Sequence, residues 1–229
     1  MPRQVTIINA PTFPVTAARF RRSLGAWFRA HGRDLPWRRT RDPYRVLVSE
    51  LMLQQTQVSR VRDYYARFLE RVPTLHQLAA ARPGRVMEAW RGLGYYARAR
   101  NLQKLARQVT RDGGVLPPQP EELRKLPGIG AYTAGAVASF AYEQRAALVD
   151  TNVARVLARV FAPRLNPKRA RDLKQIWVIA AAVLPRTGKA SWTHNQAVME
   201  LGALVCTARV KRCERCPVRA LCLTGGRSA

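Results

Sequence analysis

Residues 126–137 decide the fold, and they read Leu126-Pro-Gly-Ile-Gly-Ala-Tyr-Thr-Ala-Gly-Ala-Val137. The stretch predicts the end of one helix, a tight glycine turn and a second helix. Gly128 and Gly130 are predicted to take positive φ and to bring the backbone close to a ligand. The second helix would then present free N–H groups that suit a phosphate. Glycine turns also serve as plain connectors between helices, so the motif alone leaves both interpretations open.

The sequence on either side of this turn is helical in pattern. Pro120-Glu121-Glu122 predicts the start of the helix before the turn, because proline fits the first turn and the acids complement its dipole. Apolar residues recur at three- and four-residue spacing in segments 17–30, 61–69 and 102–109. No segment alternates as a half-buried strand does. The sequence therefore predicts an all-α fold.

The charge indicates the partner. The chain has 40 Lys and Arg residues against 14 Asp and Glu, a net charge of +26. Such an excess predicts a polyanion, with nucleic acid favoured and an anionic membrane surface as the weaker alternative. No apolar run approaches the ~20 residues of a membrane span, and the N-terminus lacks the apolar core of a secretory signal. We expect a cytoplasmic, nucleoid-associated protein with no membrane partner.

The cysteines predict a metal site. All four lie in the last stretch of the chain with spacing C-x6-C-x2-C-x5-C, at Cys206, Cys213, Cys216 and Cys222. Structural disulfides are rare in the cytosol, so a tight group of thiolates favours metal binding. Zinc prefers paired CxxC units, and only one such pair is present. Four thiolates with wider outer spacing also suit a 4Fe–4S cluster. The spacing leaves zinc and iron–sulfur open.

Two carboxylates are candidates for catalysis. Glu50 interrupts the apolar run Val46-Leu-Val-Ser-Glu-Leu-Met-Leu53. A buried carboxylate there would have a raised pKa and would serve as a general acid, whereas a glutamate at the helix edge would only face water. Asp150 follows an apolar segment and precedes Thr151-Asn152-Val153, where it suits a helix N-cap. Two carboxylates that flank a glycosidic bond are a familiar pair for its hydrolysis.

Several segments together resemble the endonuclease III superfamily of DNA glycosylases, and within it the adenine DNA glycosylases. The similarity runs from about Trp27 to Cys222. It is carried by the turn above, the cysteine pattern, Arg33-Asp-Leu-Pro-Trp-Arg38, Ser49-Glu-Leu-Met-Leu-Gln-Gln-Thr-Gln-Val58, Gly92-Leu-Gly-Tyr-Tyr-Ala-Arg-Ala-Arg-Asn101 and Val149-Asp-Thr-Asn-Val153.

The resemblance implies two helical lobes with a DNA cleft between them. A six-helix barrel would span residues 34–145 and include a helix-hairpin-helix motif at residues 121–137. Residues 1–33 and 146–229 would form an iron–sulfur cluster lobe. The resemblance also assigns a 4Fe–4S cluster, rather than zinc, to the four cysteines. We expect a monomer that binds double-stranded DNA carrying a mismatch or lesion.

The resemblance also implies roles for individual residues. Glu50 would protonate adenine, and Asp150 would stabilise the cationic sugar, with Asn152 and Tyr132 beside it. Gln55 and Tyr95 would wedge into the base stack when the base is extruded, and Gly128 and Gly130 would contact DNA. The predicted base pocket comprises Arg33, Leu35, Trp37, Val58 and Gln196. From the residues alone, Leu35 and Trp37 also suit a core, Arg33 a surface charge and Gln196 a solvated helix position.

Two positions discriminate within the superfamily. Bifunctional members carry a nucleophilic Lys where this chain has Tyr132, so we expect a monofunctional enzyme with little or no AP-lyase activity. Gln196 can pair with adenine N6 and N7. The sequence therefore predicts removal of adenine opposite 8-oxoguanine or guanine by base flipping and hydrolysis of the N-glycosidic bond. Alternatives are a thymine or uracil mismatch glycosylase of the same superfamily and a non-catalytic DNA-binding iron–sulfur protein.

The chain also departs from the family pattern. Adenine glycosylases usually continue past the cysteines into a domain that recognises 8-oxoguanine, and we expect this chain, which ends at Ala229, to lack it. Thr151 stands where the family usually has Gly. A short form with this change would favour A·G over A·oxoG or process another lesion.

Overall fold

The computed structural model describes residues 12–225, and they are helical. Within that range the only β pairing is an isolated antiparallel bridge between Cys206 and Lys211. The predicted all-α class is therefore confirmed. None of the described helices is long and apolar enough to cross a membrane. Residues 1–11 and 226–229, which fall in the predicted cluster lobe, lie outside the described part of the chain.

The chain divides into two compact units. One comprises Asp34–Tyr142, and the other comprises Met1–Arg33 with Glu143–Ala229. We call them the continuous unit and the discontinuous unit. The continuous unit has a short 3-10 helix, Pro36–Arg38, followed by α2 (Pro43–Leu53), α3 (Val58–Arg71), α4 (Leu75–Ala80), α5 (Pro83–Ala89), α6 (Ala97–Arg111), α7 (Pro120–Leu123) and α8 (Ala131–Phe140). Six of these α-helices are longer than one turn, while α7 is a single turn.

Helix α2 lies at the centre of the continuous unit, where it packs against α3, α6 and α8. It begins at Pro43 after Asp42, whose side chain accepts a hydrogen bond from the Arg45 N–H. Every residue from Val46 to Met52 is buried, so this part of α2 is enclosed on all sides. Helix α8 is buried from Thr133 to Phe140, and its alanines allow a close approach to α2.

The discontinuous unit is a second helical assembly. Its helices are α1 (Phe13–His31), α9 (Thr151–Phe161), α10 (Ala170–Val183) and α11 (Gly188–Leu204), and two 3-10 helices follow at Cys213–Arg215 and Arg219–Leu221. Helices α1 and α9 each pack against both α10 and α11. Phe20 of α1 and Phe161 of α9 meet edge to face, with ring centroids 5.0 Å apart, in the core of this unit.

The glycine turn joins α7 to α8 as predicted, but its two glycines differ in conformation. Gly128 has φ 77°, and a Cβ atom there would lie 2.7 Å from the Cβ atom of Asn101. Gly130 has φ −90° and ψ 176°, so the prediction of positive φ is wrong for this residue. Gly130 is the extended N-cap residue of α8, because the chain has already reversed at Gly128. No other described part of the chain lies within 4 Å of its Cβ position.

This difference predicts opposite outcomes for the same substitution. Gly128→Ser should lower the free energy of unfolding by about 1–2 kcal/mol, since an L-residue is strained in the left-handed region and its Cβ would also collide with Asn101. Gly130→Ser should be neutral or stabilising, because serine is a favoured N-cap residue. Urea denaturation of both variants measures this difference. Equal losses would contradict the assignment of the turn.

Candidate active site

Glu50 lies on the enclosed part of helix α2 and is 3% exposed. The alternative in which it faces water is therefore wrong. The hydroxyl of Tyr132 donates a hydrogen bond of 2.8 Å to Glu50 Oε2. Tyr132 reaches this position because it lies in the first turn of α8, just after the glycine turn, and α8 packs on α2. The hairpin thus brings two predicted catalytic residues into contact within the continuous unit.

Asp150 is the N-cap residue of α9, as the sequence suggested. Its Oδ1 accepts a hydrogen bond of 2.7 Å from the Val153 N–H, and its Oδ2 accepts one of 3.1 Å from the Asn152 side chain. Burial raises the pKa of the Asp150 carboxyl above its ordinary value, although these hydrogen bonds oppose the rise. Thr151, which stands where the family usually has glycine, is the exposed first residue of α9.

Arg155 holds Asn152 in place, a role that sequence reasoning missed. Its Nη2 donates to Asn152 Oδ1 at 2.7 Å and to the Gly202 carbonyl at 2.8 Å, while its Nε donates to the Cys206 carbonyl at 2.8 Å. A Cβ at Gly202 would lie only 2.6 Å from the Asn152 Cβ, so α11 also closes on this side chain. A continuous chain of hydrogen bonds therefore runs from Asp150 to the cysteine segment.

Helix α11 carries Gln196 and a second buried polar residue, Glu200. Gln196 is 5% exposed, so the alternative of a solvated glutamine is wrong. Glu200, one turn further along the same helix face, is 0% exposed. Its carboxylate accepts hydrogen bonds from Arg33 through Nε (2.8 Å), Nη2 (2.9 Å) and the backbone N–H (2.9 Å). Arg33, predicted for the base pocket, is thus fixed on the helix face that carries Gln196.

Sequence reasoning missed Glu200, although a signal was present. The segment Val198-Met-Glu-Leu201 places a carboxylate in an apolar helical run, which is the pattern that singled out Glu50. A buried carboxylate needs a charged or strong hydrogen-bonding partner. Its partner is 167 residues away in the sequence, so the pairing itself has no local signature.

Three further pocket candidates lie in the continuous unit. Leu35 and Trp37 are buried, and the Trp37 ring meets Tyr65 edge to face at 5.5 Å. Both residues therefore suit the alternative in which they belong to the hydrophobic core. Their role in lining a base pocket stays a prediction. Val58 is the half-buried first residue of α3.

The two wedge candidates share an unusual conformation. Gln55 follows α2 with φ 57°, and Tyr95 precedes α6 with φ 48°. Positive φ is uncommon for residues other than glycine. Both side chains project from the surface, and Tyr95 is 58% exposed.

The four cysteines line one cavity in the discontinuous unit. Its walls also include Val156, Val160 and Leu201 from α9 and α11. Burial raises the pKa of the Cys216 thiol to about 11, and the other three cysteines add to the rise. Within residues 12–225 no three potential ligand side chains are close enough together to hold a single metal ion.

The surroundings of these sulfurs suit thiolate ligands. Arg159 Nη1 donates to Cys206 Sγ at 3.3 Å, and the Gly225 N–H donates to Cys222 Sγ at 3.3 Å. A Cβ at Gly225 would lie 3.3 Å from Cys213 Sγ, so the backbone closes tightly on the cysteines there. Hydrogen bonds to ligating sulfurs are a usual feature of iron–sulfur sites. The residues therefore fit the predicted cluster.

Comparison with known proteins identifies the family. The profile of the "HhH-GPD superfamily base excision DNA repair protein" family matches residues 48–179, more than half of the chain. That match includes Glu50, the hairpin and Asp150. The chain belongs to this superfamily, which confirms the predicted membership.

Individual relatives refine the comparison. A protein named adenine DNA glycosylase from Rattus norvegicus is 46% identical over 213 residues, which are 89% of this chain and 41% of that protein. The chain thus spans less than half of that relative's length. A solved thermostable thymine-DNA glycosylase shares 30% identity with a TM-score of 0.85, covering 94% of this chain and 99% of that one. An endonuclease III trapped as a covalent DNA intermediate shares 27% identity with a TM-score of 0.75, covering 90% and 93%.

The Arg33–Glu200 pair predicts an asymmetry in stability. Arg33→Met removes a charged donor from a carboxylate that water cannot reach, and it should lower the free energy of unfolding by about 3 kcal/mol. Glu200→Gln should lower it less, by about 1–2 kcal/mol, because the Arg33 side chain is 35% exposed and keeps access to water. Urea denaturation gives both values. A larger loss for Glu200→Gln would contradict this account of the pair.

Proposed function

We propose that this chain is a monofunctional DNA glycosylase of base excision repair that removes adenine mispaired with 8-oxoguanine or guanine. The observation that carries the proposal is the 2.8 Å hydrogen bond from Tyr132 to the buried Glu50, made by the family's hairpin. A second support is the name of the rat relative, an adenine DNA glycosylase that is 46% identical over 213 residues.

In the proposed reaction Glu50 is the general acid. Its proton passes to a nitrogen of the flipped adenine, which turns the base into a better leaving group. The hydroxyl of Tyr132 donates to Glu50 Oε2 and stabilises the carboxylate that remains after proton transfer. The C1′–N9 bond then breaks, and its electron pair goes to the departing adenine.

Asp150 stabilises the positive charge that develops on the sugar. This role requires the ionised form, and the hydrogen bonds from Val153 and Asn152 favour it, while burial opposes it. Asn152 keeps the carboxylate oriented, since Arg155 and α11 fix the amide from the other side. Water then adds to C1′ of the sugar, and the proton that this water loses restores the Glu50 carboxylic acid.

Tyr132 also supports a monofunctional enzyme. Bifunctional members of the family use a lysine amine at this position to form a Schiff base with the sugar. A phenol cannot form that adduct, and here its hydroxyl already donates to Glu50. We therefore expect little or no AP-lyase activity.

Adenine is the favoured base because of Gln196. A buried amide can donate to and accept from the N7 and N6 edge of adenine, a pattern that thymine does not offer. Removal of thymine or uracil opposite guanine is the second candidate, supported by the name and the TM-score of 0.85 of the thermostable thymine-DNA glycosylase.

The proposed partner is double-stranded DNA, bound by a monomer at the nucleoid. The net charge of +26 favours binding to phosphates. The open backbone at Gly130, at the N-terminus of the ten-residue helix α8, offers N–H groups to a phosphate.

A 4Fe–4S cluster held by Cys206, Cys213, Cys216 and Cys222 completes the proposal. When bound, the cluster would tie the cysteine segment into one rigid structure. The chain already anchors the end of this segment on α9, because the Thr224 hydroxyl donates to the Arg159 carbonyl at 2.8 Å. Arg155 then links the start of the segment to Asn152.

The mechanism predicts that Asp150→Asn lowers single-turnover release of adenine by about 10²–10³-fold, since it removes charge stabilisation at the sugar. Binding to mismatched duplex should change little. The matched control is Asp42→Asn, another aspartate that caps a helix through its side chain. Asp42→Asn should keep full activity. Equal activity of the Asp150 variant and the wild type would contradict the mechanism.

The cluster predicts the elemental content of the purified protein. Iron and acid-labile sulfide should be present in equal amounts, and Cys216→Ser should lose both together with the visible absorbance of the cluster. Elemental analysis and absorbance spectroscopy measure these quantities. Zinc without sulfide in the wild-type protein would show that the cysteines hold a different metal.

A further inference from the structure

We infer that Arg98 is a positioning residue that presets the two loops which present Gln55 and Tyr95 to DNA; this inference rests on the proposed function. Arg98 lies in the first turn of α6 and is 8% exposed. It belongs to the segment 92–101 that carries the family resemblance, but it has no role in the proposed reaction. Its guanidinium lies between the loops that carry the two wedge candidates.

The guanidinium first binds the segment that carries Gln55. The two N–H groups of its Nη1 are shared among the carbonyls of Leu51 (2.8 Å), Met52 (2.8 Å) and Gln54 (2.5 Å). The last carbonyls of a helix have no partner within the helix, and Arg98 supplies one for the C-terminus of α2. Both Nη atoms also lie 3.3 Å from the Thr56 hydroxyl. The residues on either side of Gln55 are therefore fixed to one cation.

The same guanidinium binds the loop that carries Tyr95. Its Nη2 donates to the carbonyls of Leu93 at 3.3 Å and Gly94 at 3.1 Å, and its Nε donates to the Tyr95 carbonyl at 3.4 Å. The Tyr95 ring also lies 5.2 Å from the guanidinium carbon. Trp90 faces the cation at 5.5 Å and donates its indole N–H to the Gly94 carbonyl. One planar group thus joins the two loops.

The acceptors of Arg98 indicate what this residue does. Throughout residues 12–225, every hydrogen bond that Arg98 makes goes to a backbone carbonyl or to the Thr56 hydroxyl. Burial lowers the pKa of the guanidinium without changing its charge. A buried cation whose hydrogen bonds all go to two loops fixes the conformation of those loops.

Backbone strain shows why the loops need such a clamp. Gln55 and Tyr95 both have positive φ, a conformation that persists only where the surroundings over-determine it. Their side chains remain exposed while the Gln54 and Gly94 carbonyls beside them accept hydrogen bonds from Arg98. A wedge fixed before binding loses little conformational freedom when it enters the base stack. Arg98 thereby lowers the cost of extruding the base.

Arg98→Lys tests the inference, because lysine keeps the charge but loses the planar fork that reaches both loops. Single-turnover adenine release from mismatched duplex should fall about 10²-fold. Release of an adenine that is already unpaired, in a bulge, should fall far less, since no wedge is then needed. Arg107→Lys is the matched control. It lies on the same helix and donates to the Ala79 and Ala81 carbonyls, away from both wedge residues.

The control should leave both rates unchanged. Equal losses of Arg98→Lys on duplex and bulge, or equal duplex rates for the Arg98 and Arg107 variants, would overturn the inference. The double variant Arg98→Lys, Tyr95→Ala should release adenine from mismatched duplex at the same rate as Tyr95→Ala alone. If Arg98→Lys fails to fold, Thr56→Val removes a single acceptor and should shift the duplex-to-bulge ratio in the same direction.

The role of Arg98 can also be measured without base release, by following extrusion of the base from the stack. Fluorescence of 2-aminopurine at the target position rises when the base leaves the stack in the bound complex. The Arg98 variant should give a smaller rise than the Arg107 variant at saturating protein. If the wild-type protein releases no base from any duplex, the proposed function fails, and this fluorescence still decides the role of Arg98. Equal signals from the two variants would then refute it.

Discussion

The structure depends on a carboxylate placed inside an apolar helix. Glu50 occupies a part of α2 that is buried on every side, and a group of this kind is costly unless a donor meets it. The hairpin supplies the donor: Gly128 reverses the chain through a positive φ, α8 starts at Ala131, and Tyr132 reaches Glu50 at 2.8 Å. Most of the continuous unit can be understood as the frame that holds this contact.

The shortage of acids also affects how the arginines are paired. With 14 acidic residues for 40 basic ones, most arginines cannot form an ion pair, and three buried or half-buried ones donate to backbone carbonyls instead. Arg98 binds the ends of two loops, and Arg155 and Arg159 bind the carbonyls of the cysteine segment. Each guanidinium satisfies several carbonyls at once because its donors form a fixed fork. The excess of arginine thus contributes to the internal order of the protein as well as to its charge.

Features that depend on neighbouring residues could be predicted from the sequence. Helical periodicity, the cap at Asp150 and the turn at Gly128 could all be read from neighbouring residues. The conformation of Gly130 was predicted wrongly, because one positive φ suffices for the turn. Contacts between distant segments have no local signature. Arg33 and Glu200 are 167 residues apart, and the Arg98 clamp depends on two loops meeting at one side chain.

Single-turnover base release measures the central claim most directly. Matched duplexes would carry A·oxoG, A·G, T·G or U·G, and the strands would be resolved after alkaline cleavage. Release of adenine alone, with little strand cutting before alkali, is the result that this account predicts. Release of thymine or uracil in place of adenine would contradict the role of Gln196 as the adenine-reading residue.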